Sequence, residues 1–259
     1  MKYPKILVGA PVTDLMEYCF DRFIESMKNL SYPNYDIFLV DNSKDAKFFE
    51  KIKSMKVPCE RIDYIEGDPR LRLVECRNII RKKVLKEGYD YLYCADQDVI
   101  PPRDILERLL EHKKDVISGM YFNKGKEGEP YPVVKMPDET FEKDGRVRLP
   151  TQEEINTLGL VRVALTGTGC LLIHRPVLQR IKFRNELHLP VWDDTNFAVD
   201  CKKLGITMYA DLSIMCEHLI DDKPWKWKIK AEMSDKGLSV KWMEILPKSQ
   251  LTGNEKYYY

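Results

Sequence analysis

Tyr89-Asp90-Tyr91-Leu92-Tyr93-Cys94-Ala95-Asp96-Gln97-Asp98-Val99-Ile100-Pro101-Pro102 is the stretch that decides how this chain is read. Its Tyr, Leu and Val residues favour a buried strand, and the Pro pair stops it. Two carboxylates, Asp96 and Asp98, stand one residue apart at its end. Side chains alternate along an extended chain, so both are expected on the same side. Neighbouring carboxylates repel unless a cation lies between them, and hard divalent ions such as Mg²⁺ and Mn²⁺ take oxygen ligands. Mg²⁺ is typically held by one or two carboxylates together with substrate phosphates. The segment is therefore a candidate seat for a metal-bound diphosphate. The plainer alternative is an acidic turn at a strand end.

Working outward from it, Lys5-Ile6-Leu7-Val8-Gly9-Ala10-Pro11-Val12 is an apolar run that reads as a buried first strand. Thr13-Asp14 offers an N-cap for a helix with Leu15, Cys19, Phe23 and Met27 on one face. Residues 36–43 form a second strand that ends in Asp41-Asn42-Ser43. A Lys-rich helix at 45–55, a strand at 61–66, and a helix at 73–87 closed by Gly88 come next. After the Asp96 strand the pattern predicts a helix at 104–112 and a strand at 115–121. Strands alternating with helices imply an α/β fold, a mostly parallel sheet with helices on both faces. Ligands of such sheets gather beyond the carboxyl ends of the strands. Those ends carry Pro11 to Thr13, Asp41 with Asn42, and Asp96 with Asp98, so the three are expected on one rim.

Residues 123–158 carry little periodicity and read as either a working loop or a mobile one. Strand character resumes over 160–173, interrupted by Thr166-Gly167-Thr168-Gly169. A Gly pair within a strand signals a bulge or a close backbone approach. A helix at 194–204 and extended pieces at 206–210 and 212–218 complete the pattern.

Composition narrows the class. The 259 residues suit one large α/β domain or two small ones. Lys plus Arg (42) almost equals Asp plus Glu (41), and the net charge of +1 argues against a dedicated nucleic-acid binder. Seven cysteines without Cys-x-x-Cys pairs point to reduced thiols and a cytoplasmic setting. No stretch reaches the roughly 20 apolar residues of a membrane span. Beyond residue 222, Trp225 and Trp227 alternate with Lys223, Lys226 and Lys228. That segment suits peripheral membrane contact or a lysine-covered edge strand.

In this order the landmarks resemble the GT-A fold nucleotide-sugar glycosyltransferases, in particular the inverting family 2 type. The resemblance rests on Val12-Thr13 and Val40-Asp41-Asn42-Ser43 at the first two strand ends, and on Arg77-Asn78 ahead of the Asp-x-Asp. It rests further on Thr166-Gly167-Thr168-Gly169-Cys170-Leu171-Leu172-Ile173, on Trp192-Asp193-Asp194-Thr195-Asn196-Phe197, and on His218. It implies one GT-A-like catalytic domain over residues 1–222, with a nucleotide-binding half at 1–121, an acceptor half at 122–222, and an extension at 223–259. It also implies a sugar moved from a nucleotide-diphosphate donor to a hydroxyl acceptor, whether glycan, lipid-linked or small molecule, with inversion.

Negative charge develops on the bridging oxygen of a departing nucleoside diphosphate, and a divalent cation stabilises it. Asp98 is the first choice for coordinating Mn²⁺ or Mg²⁺, with His218 as a neutral imidazole ligand. The resemblance gives Asp96 the ribose hydroxyls or a metal-bound water. Pro11, Thr13, Asp41 and Asn42 fall to the nucleobase site. Arg77 contacts base or diphosphate, or is an ordinary surface Arg on its helix. An acceptor hydroxyl must lose a proton to a carboxylate within reach. Asp193 and Asp194 precede a helix whose N-terminal end favours negative charge, one as cap and the other as base. The family's triplet makes Asp194 the base, but its usual Glu is Asp193 here, which leaves the choice between the two open. Trp192 stacks on an acceptor sugar or belongs to the core. The rival functions are a nucleotidyltransferase acting on sugar phosphates and a non-catalytic nucleotide-sugar binding module. The former normally shows a basic, Gly-rich loop after the first strand, whereas Gly9-Ala10-Pro11-Val12-Thr13 has no basic residue.

Overall fold

Strand β1 (Ile6–Val12) is buried at all seven positions, the pattern of a strand covered on both faces. It lies inside an eight-stranded sheet with β2 (Tyr35–Asp41), β3 (Cys59–Arg61), β4 (Tyr91–Ala95), β5 (Val116–Met120), β6 (Leu160–Val163), β7 (Cys170–His174) and β8 (Met208–Met215). The computed structural model describes residues 3–124, 130–186, 188–189 and 191–219, together with the backbone of two further strands, Trp227–Ser234 and Gly237–Glu244.

The strand order is β6-β8-β5-β7-β4-β1-β2-β3. β3, β2, β1 and β4 run parallel. β7 runs antiparallel between β4 and β5, β8 is parallel to β5, and β6 is an antiparallel edge. The carboxyl ends of β1, β2, β4, β5 and β8 therefore open on one rim, as the α/β pattern predicts. Alternation divides the strand residues between two cores. Leu7, Leu92 and Leu171 face the helix α3 (Pro69–Glu87) side with Ile80 and Phe197. Ile6, Val8, Tyr93 and Leu172 face Phe20 and Phe23 of α1 (Glu17–Lys28) and Leu106 of α4 (Ile105–Glu111). Helices α2 (Lys47–Ser54), α5 (Arg175–Arg180) and α6 (Asp193–Lys203) complete the layers.

α3 begins a turn earlier than its apolar spacing suggests. Asp68 caps it by accepting from the Arg70 N–H at 2.9 Å, with Pro69 at the first helical position, an arrangement Pro tolerates because that N–H has no partner in any helix. Gly88 ends it with φ +72°, as expected. Gly9 lets α3 settle on β1: a Cβ there would stand 2.3 Å from Ile80 Cγ2. That contact fixes the height of Arg77, one turn before Ile80.

Several expectations are corrected. Leu15 is 71% exposed, because Asp14–Met16 form a 3-10 turn and α1 starts only at Glu17. The third strand covers Cys59–Arg61 rather than 61–66, since only those residues pair with β2. The stretch from 123 to 158 is not one loop. Phe122–Lys124 pairs with Pro130–Pro132, Val134–Pro137 pairs with Val147–Arg148 and Leu165–Thr166, and a capping box starts a short helix at Gln152–Asn156. The two extended pieces expected before His218 form one strand, β8, followed by Glu217–His218. α5 was not anticipated.

A second sheet runs Gly237–Glu244, Trp227–Ser234, Glu217–His218, Val99–Ile100. The expected extension from residue 223 thus lays its hairpin backbone against the strand that carries His218. Residues 223, 225 and 226, and the side chains of Trp227, Lys228 and Trp242, lie outside the described residues, and the membrane-contact expectation lies there with them. Among the described residues no helix is long and apolar enough to cross a membrane. All seven cysteines are free thiols.

Gly9→Ala should cost about 1–3 kcal/mol, the usual penalty for overpacking a filled core, and lower the thermal unfolding midpoint by several degrees. An unchanged midpoint would mean that α3 does not rest on β1 at this point.

Candidate active site

Beyond β4 the chain turns instead of running straight. The Val99 N–H donates to the Asp96 carbonyl at 3.0 Å, so the alternation argument fails and the two aspartates go to different partners. Asp98 is held from its backbone, its carbonyl accepting from the Leu219 N–H at 2.7 Å. Val99 pairs with His218 across the second sheet. That pairing brings His218 Nε2 to 3.2 Å from Asp98 Oδ2, with both side chains buried.

The other ring nitrogen decides what this contact is. His218 Nδ1 stands 2.8 Å from the Phe122 carbonyl. A carbonyl only accepts, so Nδ1 carries the proton, and the Nε2 lone pair of a neutral ring faces a carboxylate oxygen. Two acceptors at that distance require a proton or a cation. Burial opposes the charged ring, but Asp98 and the Phe122 carbonyl outweigh it and hold His218 above the ordinary imidazole value. Cis ligands of an octahedral ion with bonds of about 2.1 Å stand roughly 3 Å apart, so the pair also fits a divalent ion. The Phe122 carbonyl then does what an orienting partner of a ligand His commonly does. Among the described residues no group of three or more His, Cys, Asp or Glu could cage a metal. Asp96, Asp98 and His218 are therefore not a three-residue cage: Asp98 and His218 pair, and Asp96 stands with Arg77.

Arg77 is only 2% exposed, which corrects the surface alternative. Its Nη2 donates to Asp96 Oδ1 and to Thr168 Oγ1, both at 2.6 Å. Its Nε makes an ion-pair contact of 2.6 Å with Asp193 Oδ2. Burial opposes the guanidinium charge, while Asp193 and Asp96 hold it above its usual range. Asp96 is pushed up by burial and pulled back by Arg77. Its second oxygen lies beside Gly169, where a Cβ would stand 3.0 Å away. Arg77 thus ties the end of β4 to the start of α6.

Trp192 occupies the N-cap of α6 with no side-chain cap bond, and both aspartates fall in the first turn, so neither is the cap residue. Asp193 is 2% exposed and engaged by Arg77. Asp194 is half-buried, and its Oδ1 accepts from the Thr195 N–H at 2.5 Å. Burial, then the charge of Asp193, push its carboxyl up to about 6. Trp192 is 49% exposed, so it is not a core residue. Its backbone is braced by Asn196 Nδ2 to the Trp192 carbonyl at 3.1 Å and Arg70 Nη1 to the Val191 carbonyl at 3.0 Å.

At the other end of the rim, the Thr13 N–H donates to Gln97 Oε1 at 2.8 Å, and Gln97 Nε2 donates to the Met16 carbonyl at 2.8 Å. Asn42 Nδ2 donates to the Val12 carbonyl at 3.0 Å. Thr13 and Asn42 are partly exposed. Pro11 is enclosed within β1, which runs on to Val12 and so takes Pro11 off the rim. Asp41 has no exposed surface. Its Oδ1 accepts from the Ser43 N–H at 3.0 Å and hydroxyl at 2.5 Å, while Oδ2 faces Arg61 Nε at 3.6 Å. Burial raises Asp41 against these donors. Its carboxylate shapes the Asn42–Ser43 loop from beneath. A separate cavity of about 250 Å³, lined by Phe141, Arg162, Cys201 and Lys202 among others, contains none of these residues.

Sequence reasoning missed Gln97, Thr168 and Tyr121. Gln97 sits between the two aspartates, and Thr168 inside the Gly-containing segment. Tyr121 follows β5 at the same rim, so the rule that ligands gather at strand ends was the signal for it.

The family model described as "Glycosyl transferase family 2" matches residues 18–181, more than half of the chain. No curated protein sequence matches it. Among solved structures, a crystal structure of GalNAc-T7 with UDP, GalNAc and Mn²⁺ is similar in fold, with a TM-score of 0.63 at 14% identity. The match covers 86% of this chain and 45% of that one, so the chain spans less than half of its length. The family match takes in β2, Arg77, the Asp96–Asp98 turn and the Gly-containing segment, and the chain accordingly belongs to glycosyl transferase family 2, glycosyltransferases of the GT-A fold.

Proposed function

We propose that this protein is a divalent-metal-dependent, inverting glycosyltransferase that moves a sugar from a nucleotide-diphosphate donor to a hydroxyl acceptor. One observation carries this reading: the buried Asp98–His218 pair, whose facing acceptor atoms are set by the Phe122 carbonyl, opens on the rim that also bears α6 and its half-buried Asp194. Family membership favours glycosyl transfer over nucleotidyl transfer.

Asp98 and His218 would hold Mn²⁺ or Mg²⁺, and the bound ion supplies Lewis-acid charge to the leaving diphosphate. The structural neighbour that holds UDP and Mn²⁺ makes these the first ligands to test. Thr13 and Asn42 line the base end, and Asp96, fixed through one oxygen by Arg77, offers the other to the ribose hydroxyls. Asp194 takes the proton of the acceptor hydroxyl. The acceptor oxygen forms a bond to the anomeric carbon while the bond from that carbon to the phosphate oxygen breaks, its electron pair leaving with the nucleoside diphosphate. A single displacement of this kind inverts the anomeric centre. Asp193 does not take the proton, because its carboxylate is engaged by the buried Arg77; it positions the start of α6. Trp192, exposed and braced beside the base, supports a sugar acceptor stacked on its ring.

Asp98→Ala and His218→Ala should each lower Mn²⁺-dependent transfer and donor hydrolysis at least about 100-fold, as should chelation of the wild-type protein. Proton NMR of the fresh product should show the anomer opposite to that of the donor. Full activity in Asp98→Ala would remove the metal assignment.

A base must be deprotonated to act, and the Asp194 carboxyl lies at about 6. The kcat/KM of the wild-type enzyme should therefore rise with pH and level off above about 6. Asp194→Asn should abolish that limb and cut kcat by roughly 10²–10⁴-fold, measured across pH 5–8 with about 1 mM Mn²⁺. A limb that persists in Asp194→Asn would assign the base elsewhere.

A further inference from the structure

Tyr121 follows the last residue of β5, at the rim where β4 ends in Asp96, and no step above uses it. The residue is 5% exposed. Its ring stands edge-on to His218, with centroids 5.2 Å apart and an interplanar angle of 83°. The hydroxyl reaches over the two glycines of the Thr166–Gly169 segment. A Cβ on Gly167 would lie 2.1 Å from it, and one on Gly169 2.9 Å. Asp96 Oδ2 would lie 3.0 Å from that same Gly169 Cβ. The phenol oxygen and the free oxygen of Asp96 therefore share one patch of floor, kept open because both glycines lack side chains. Burial, and after it the charge of Asp96, hold this phenol above its ordinary value.

Tyr32 and Tyr35 donate their hydroxyls to backbone carbonyls, and Tyr89 donates to Asp36. Among the described residues the Tyr121 hydroxyl has no such partner. A hydroxyl with no protein partner, on a floor it shares with the free oxygen of Asp96, is left for an acceptor supplied by ligand. A phenol ordinarily keeps its proton at neutral pH, which makes it a donor here. The ligand acceptors nearest His218 are the diphosphate oxygens that its ion would bind.

We infer that Tyr121 is a further substrate-contacting residue, whose neutral hydroxyl donates a hydrogen bond to the diphosphate of the donor as the sugar–phosphate bond breaks. This deepens the proposed function and rests on it. The electron pair of the breaking bond goes to the phosphate oxygen, and the hydrogen bond from Tyr121 strengthens as charge gathers there. No proton is transferred, and the phenol is unchanged at the end of the cycle. The two glycines are then a requirement of the site, since a side chain at either would push the hydroxyl off the floor.

Tyr121→Phe in the full-length protein keeps the ring and removes only the hydroxyl. UDP, GDP, dTDP, CDP and ADP, each with Mn²⁺, would first be ranked by thermal shift on the wild-type protein. Calorimetry would then compare the best diphosphate with its monophosphate in wild type, Tyr121→Phe and Asp98→Ala. The expected result is that Tyr121→Phe binds the diphosphate roughly tenfold more weakly and the monophosphate as before. Its kcat for the matching nucleotide-sugar should fall at least tenfold with donor KM within about threefold, while its thermal midpoint stays that of wild type. If Asp98→Ala loses the diphosphate while Tyr121→Phe keeps it within about twofold, the Tyr121 assignment is overturned and the donor site stands. A higher donor KM with unchanged diphosphate affinity also overturns it, because the hydroxyl then serves the sugar. If none of the five diphosphates binds wild type with Mn²⁺, the donor reading falls and the assignment falls with it.

Discussion

A single guanidinium, shut away from water between two carboxylates that are far apart in sequence, holds this site together. Arg77 comes from α3, Asp96 from the end of β4, and Asp193 from the first turn of α6. A buried cation is tolerated only when it is paired and hydrogen-bonded. Withdrawing the guanidinium would leave two buried carboxylates uncompensated, a penalty on the order of 3–5 kcal/mol. The two halves of the rim are thus not free to take up independent positions. A planar fork reaches all three acceptors at once, Nη2 hydrogen-bonded to Asp96 and Thr168 and Nε in ion-pair contact with Asp193, so Lys is no substitute.

The chemistry follows from how that clamp divides the carboxylates. Asp193 is spent on Arg77, and Asp194, one residue on, carries the raised pKa of a half-buried carboxyl beside a like charge. Asp96 gives one oxygen to Arg77 and keeps the other at the Gly169 floor. Asp98, turned the other way, is left for His218. Four acidic groups in one cleft are thereby given different work by their partners, and their mutual repulsion is relieved by one arginine and, under the proposed function, by the cation that Asp98 and His218 would hold. The second sheet matters for the same reason. The backbone of His218 is set opposite Val99 because Val99–Ile100, Glu217–His218 and the C-terminal hairpin pair in register, and the Phe122 carbonyl then orients its ring.

Much of the scaffold was legible in the sequence because burial on both faces leaves a plain mark. The apolar runs of β1, β2 and β4 and the aspartate pair opening α6 follow directly from it. Other features left no such mark. The turn at Asp96 is set by one backbone hydrogen bond, which residue types at that position do not announce. An Arg on a helix of mixed pattern reads as a surface residue, because the partners that bury Arg77 lie 19 and 116 residues away in sequence. Pro11 and Asp41 looked like rim residues since they close strands, but β1 runs one residue further and Ser43 folds back over the Asp41 carboxylate. Tyr121 ended its predicted strand in plain view, yet its meaning depends on two glycines more than 40 residues later.

The claim that the clamp unites the site is tested most directly by a double-mutant cycle in urea unfolding, with Arg77→Met, Asp193→Asn and the pair together. A clamp shared by the two residues gives a coupling energy of roughly 2–3 kcal/mol, at the upper end for residues in contact. Effects that add to within about 0.5 kcal/mol would mean the two side chains act independently, and the clamp would be no more than neighbours side by side.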